Sequence, residues 1–249
     1  AVPVTVLNAP PVLGELRGLP TTPIPAGTVV RVSAAFSDAG ALDTHTGSVV
    51  WSTGARAEPA VITEGAGAGT ITASKALPAG IHTVTLRVAD DDGGSAAVAS
   101  PTAVVVYDPA AGFVTAGGWL EVPGAGARPR GVRPGRVRFD LEARYRGTTP
   151  TGKLELKAEG AGLEFESTRL RWLVVAGGTA WCEGEGKVNG RPGYHFTIVA
   201  TDGDGRGGRG DLLRVRITGP DGLVFDTGTG ALDAGTGTPL GGGSITVHR

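Results

Sequence analysis

Asp90-Asp91-Asp92 places three carboxylates in a row, directly before Gly93-Gly94. Hard cations take several carboxylate oxygens, so the run is a candidate calcium site. Its other reading is a solvated hairpin turn. Asp202-Gly203-Asp204-Gly205, with Asp211 beyond it, is a second calcium candidate. It follows the D-x-[DN]-x-[DN]-G-x5-E loop only in part, because Arg206 takes the fifth position and the spaced glutamate is missing. A polar hairpin loop accounts for the same residues. Arg128, Arg130, Arg133, Arg136 and Arg138 form a basic cluster suited to an anionic polymer. Solvated loop and strand positions are the alternative. Trp51, Trp119, Trp172 and Trp181 are enough indoles for a sugar-stacking platform, although sandwich cores also use tryptophan. Glu164 and Glu166 share one strand face, whereas a glycosidase needs carboxylates facing across a cleft. His45, His82, His195 and His248 form no zinc-like spacing. No nucleophile elbow, phosphate loop or dinucleotide fingerprint is present, so the residues give no catalytic set.

The elements that carry these residues are strands. Gly and Pro supply 43 and 17 of the 249 residues, without the G-X-Y period of collagen. Apolar residues make up 40%, too many for a wholly disordered chain. A net charge of -1 argues against nucleic acid as the main partner. No apolar run approaches the length of a membrane-crossing helix. The single cysteine, Cys182, rules out an intrachain disulfide and reads as a small buried hydrophobe. The chain has no methionine, so Ala1 fits either signal-peptide cleavage or a fragment boundary.

Short alternating runs replace helical periodicity. In His82–Val88, Val84, Leu86 and Val88 share one face and Thr83, Thr85 and Arg87 the other. Further strands are expected at 28–34, 102–107, 136–145, 152–158, 163–165, 170–175, 181–188, 194–201, 212–218, 223–226 and 244–248. Many short strands joined by Gly/Pro turns predict an all-β sandwich architecture. Residues 1–108 hold 12 glycines and 109–249 hold 31, which places a domain boundary near Asp108-Pro109. Before that break lies an extended segment at 1–10, in which Val2, Val4 and Val6 alternate with Pro3, Thr5 and Leu7. Pro3 lacks an N–H, so this strand suits a sheet edge.

Residues 11–108 resemble a PKD-type, immunoglobulin-like sandwich of bacterial surface and secreted proteins. The resemblance rests on Phe36-Ser37-Asp38, Trp51-Ser52-Thr53-Gly54 and the stretch Gly80 to Gly94. The family's usual Trp-Gly-Asp-Gly is Trp51-Ser52-Thr53-Gly54 here. Residues 107–249 are similar to the Gly-rich post-choice-of-anchor module that follows such domains. The matching residues include Gly112-Phe113-Val114-Thr115-Ala116-Gly117-Gly118-Trp119, Trp172-Leu173-Val174-Val175-Ala176-Gly177 and Leu240-Gly241-Gly242-Gly243-Ser244-Ile245. This resemblance implies two extracellular or cell-surface β-rich domains, with no known enzyme chemistry and no cofactor beyond the candidate calcium. Residues 1–10 resemble the last strand and linker of a preceding sandwich, and they are surplus because 102–107 already closes 11–108.

Two functions follow as expectations. In one, the chain is a structural homo-polymer in which Val2, Val4 and Val6 of one copy add to a sheet edge of the next, in a head-to-tail, filament-building contact. In the other, it is an adhesive or spacer region of a larger secreted protein, held on a cell-surface polysaccharide.

Overall fold

A computed structural model describes residues 7–54, 56–122, 135–203, 210–228, 232 and 237–249. The chain is almost wholly β, with antiparallel ladders in sandwich-like, immunoglobulin-like arrangements. It divides into two compact units, Ala1–Val106 and Tyr107–Arg249. Among the described residues, no helix is long and apolar enough to cross a membrane.

The first unit contains β1 (Val12–Leu13), β2 (Ile24–Pro25), β3 (Val29–Ser37), β4 (His45–Trp51), β5 (Glu58–Gly65), β6 (Ala68–Ala76), β7 (Gly80–His82), β8 (Val84–Asp90), β9 (Ser95–Ala99) and β10 (Val104–Tyr107, whose Tyr107 falls in the second unit). Seven strands pair in the order β1-β3-β6-β5-β4-β8-β9, and β2-β10-β7 form a small second sheet. Strand β5 pairs with β4 through Glu58–Ala60 and with β6 through Val61–Gly65, so it hands the ladder from one side to the other. Period-two patterning sets the core. Val30, Val32, Ala34 and Phe36 of β3 meet Val84, Leu86 and Val88 of β8, together with Trp51, Ile71 and Leu77. The run His82–Val88, expected as one strand, is divided at Thr83: β7 joins the small sheet and β8 the large one.

The second unit contains β11 (Phe113–Val122), β12 (Gly135–Arg146), β13 (Thr149–Ala158), β14 (Leu163–Ala176), β15 (Thr179–Val188), β16 (Arg191–Thr201), β17 (Leu212–Gly219), β18 (Gly222–Asp226), β19 (Thr238–Pro239) and β20 (Gly242–His248). Strands β11 to β18 form an antiparallel meander, β20 returns to pair with β11, and β19 pairs with β17. One core fills the sheet's inner face, from Val114 and Leu120 through Leu141, Leu154 and Ile198 to Val215 and Ile245. The expected strands 163–165 and 170–175 are one strand, β14. Its ladder to β15 shifts register at Ser167/Arg169 and Leu170/Trp172, and such bulges bend a strand without ending it. Strand β11 was not among the expected strands; its Gly117-Gly118 pair carries no side chains to show the alternation of a strand. Gly118 is required by close approach to β20: a Cβ on it would lie 2.2 Å from the Gly242 carbonyl oxygen. One on Gly243, which has φ +101°, would lie 2.1 Å from that of Gly117.

Candidate functional site

The end of the first unit's large sheet collects carboxylates from the β3–β4 connection and from the end of β8. Asp38 follows β3, Asp43 precedes β4 and Asp90 ends β8. Pairing of His45 with Asp90 across β4 and β8 draws these ends together. The three carboxylates each offer an oxygen within 4.8 Å of the others. Asp38 Oδ1 accepts the Gly40 N–H at 2.8 Å, and its Oδ2 lies 3.1 Å from His45 Nε2. His45 Nδ1 lies 2.6 Å from Glu64 Oε2. Burial opposes a charged His45, but its hydrogen bonds to Asp38 and Glu64 and their charges outweigh that and raise its pKa. Asp90 accepts from the Asn8 side chain at 3.0 Å and from the Gly94 N–H at 2.6 Å. The Asn8 bond leads, and with the turn N–H groups it outweighs burial and lowers the Asp90 pKa. Burial, then the charges of Asp38, Asp92, Asp91 and Asp90, raise that of Asp43. Hard cations such as calcium take six to eight oxygens, and this cluster supplies part of such a set.

Of the expected run, Asp90 therefore joins Asp38 and Asp43. Asp91 accepts the Thr44 N–H at 3.1 Å, and Asp92 acts on Asp43 by charge alone. Asp38 and Asp43 were not expected as ligands. They lie far from Asp90 in sequence, and only the β4–β8 pairing connects them. Asp202 is placed differently, at the closure of the second unit. Its Oδ2 accepts the Val247 N–H at 3.1 Å, while Asp211 accepts from Ile245 at 2.7 Å and from Gly203 at 3.0 Å. Among the described residues β20 pairs with β11 alone, and these carboxylates take N–H groups of β20. Asp204 lies outside the described residues.

Arg136 and Arg138 of the basic cluster stand on β12. Arg136 lies 3.4 Å from Glu121, with its guanidinium 3.9 Å from the Trp119 ring centre, and Arg138 lies 3.4 Å from Glu159. Arg128, Arg130 and Arg133 lie outside the described residues. The tryptophans form no open platform. Trp51, Trp172 and Trp181 are buried, and Trp119 packs between Arg136 and the Gly241-Gly242 backbone. Val174, Trp181, Val199 and Arg214 are direct neighbours across β14 to β17, a buried row outside the main core. Cys182 is fully buried, and burial pushes its thiol pKa far up, which fits the inert reading.

The outer face of β12 to β15 holds a groove of about 550 Å³. Arg138, Asp140, Glu155, Lys157, Glu166 and Lys187 are among its lining residues. Glu166 stands directly opposite Glu155 on one side and Lys187 on the other. Glu164 is held by Lys157 at 2.6 Å. Alternating charges of this kind suit hydrogen bonding to a polyhydroxylated polymer.

The expected assembly residues Val2, Val4 and Val6 lie outside the described residues. The segment that follows them is fixed. Asn8 is bonded to Asp90, Pro11 is buried, and β1 pairs with β3. Leu7, where the alternating segment joins this anchor, is 84% exposed. No protein-family model matches the chain, and no curated protein matches it.

Proposed function

We propose that the chain is a non-enzymatic, extracellular structural protein built from a PKD-type sandwich and a post-choice-of-anchor-like module. It assembles head-to-tail through its first strand. The observation that carries this reading is the start of the first unit. Asn8 pins the linker to Asp90, β1 already occupies the edge of β3, and Leu7 is exposed. An alternating segment launched from a fixed point, with its own sheet edge taken, is suited to a neighbour's edge. The test is negative-stain microscopy with light scattering on the chain and on Val4→Lys/Val6→Lys. Filaments or large oligomers lost in the variant support the reading, and monomers in both samples end it.

The groove on β12 to β15 favours a second reading, an adhesive or spacer region that holds a surface polysaccharide. Glycan-array binding that disappears in Glu155→Ala/Lys187→Ala supports it, and an array without a hit removes it. In both readings calcium is the proposed ion at Asp38, Asp43 and Asp90, where it would offset their mutual repulsion.

A further inference from the structure

We infer that the acceptor is the β18 edge of a second copy, and that the donor's ladder bonds come from Val2, Val4 and Val6 rather than from Pro3 and Thr5. This rests on the reading that the first strand is donated. The candidate edges narrow quickly. In the first unit, β1 lies alongside β9, and β2 and β7 have two and three residues. In the second, the outer N–H groups of Ile245 and Val247 on β20 are taken by Asp211 and Asp202. Strand β18 ends the sheet, and among the described residues no strand pairs with its outer side. Its five residues, Gly222–Asp226, are continued by Thr227, whose N–H still bonds to Val215 at 3.0 Å. Leu223 at this edge is 41% exposed. Six residues precede Leu7, enough to pair along the whole edge.

Pro3 fixes the donor's orientation. In a strand, the N–H and C=O of one residue point to the same side, and those of the next residue point to the other. Only Val2, Val4 and Val6 can then face an acceptor without placing the missing N–H of Pro3 in the ladder. Pro3 comes to lie on the solvent side of the added strand, the side on which sheets tolerate proline. There it also discourages a further strand from adding.

The test compares Val4→Pro, Thr5→Pro and Leu223→Lys by light scattering and microscopy. Leu223 is exposed, so Leu223→Lys removes no core contact. The expected result is assembly of Thr5→Pro like the unaltered chain, with Val4→Pro and Leu223→Lys remaining monomeric. Mixing Val4→Pro with Leu223→Lys then gives a one-to-one dimer that grows no further, because one copy keeps only an acceptor and the other only a donor. An unaltered chain that stays monomeric ends the donation reading itself. If that chain assembles and Leu223→Lys assembles too, the β18 acceptor is overturned while donation stands. If Thr5→Pro fails or Val4→Pro assembles, the ladder assignment is overturned. Concentration-independent protection of the first strand in a monomer overturns the second copy as acceptor.

Discussion

Removing the Asp211 carboxylate tests how the second unit is closed. Asp211 is 1% exposed and directly precedes β17, at the corner where β20 arrives. It bonds Ile245 at 2.7 Å and Gly203 at 3.0 Å. Hydrogen bonds to a charged group contribute about 1.5–3 kcal/mol each, and a buried donor left unpaired costs about 1–3 kcal/mol. The Ile245 site is buried and the Gly203 site partly buried, so Asp211→Ala should cost about 3–5 kcal/mol. For a unit of this size that lowers Tm by on the order of 10 °C. Asp211→Asn keeps one acceptor oxygen and should lose about half as much. Urea unfolding gives the free energies, and amide exchange at Ile245 reports the site directly. A loss below about 1 kcal/mol in Asp211→Ala, or an Ile245 amide as protected as before, would refute carboxylate closure of this corner.

Three further outcomes follow from the same geometry. Burial pushes the Tyr145 hydroxyl up to about 12, against the Leu173 N–H that it accepts at 3.3 Å. The unfolded chain ionises this tyrosine first, so its contribution to stability is constant below pH ~10 and falls between ~10 and 12; Tyr145→Phe should flatten that fall in alkaline melts. With EDTA present, Asp43→Asn should raise the Tm of the first unit by relieving the crowded carboxylates, while millimolar calcium should raise that of the unaltered chain and not of the variant; equal shifts in both would remove the ion from Asp43. Gly243→Ala sets a Cβ against the Gly117 carbonyl at a backbone angle that alanine resists, and should destabilise the second unit by about 2 kcal/mol or more in urea unfolding.

What the sequence alone determined is local. Alternation at Val84, Leu86 and Val88 announced a strand with one buried face, because side chains on a strand change sides at every residue. The same rule located most strands of the second unit, and their density set the all-β class. It failed where the cause of the structure lies on another strand. Gly117-Gly118 carries no side chains to alternate, and its place in a strand is set by pairing with β20; the apolar runs on either side of Ser167 looked like two strands until β15 paired along both. The candidate sites depended still more on tertiary structure. Asp90 was legible as part of an acidic run, but Asp38 and Asp43 become its neighbours only through β4–β8 pairing. Asp202 and Asp211 looked like a partial ion loop, and folding turned them onto the backbone of β20. Arg136 and Arg138 looked like an open basic cluster until adjacent elements set Glu121 and Glu159 beside them. Period-two patterning is written in neighbouring residues. The electrostatic partner of a side chain is chosen by which strands lie side by side, and in an antiparallel sheet those residues are often dozens of positions apart.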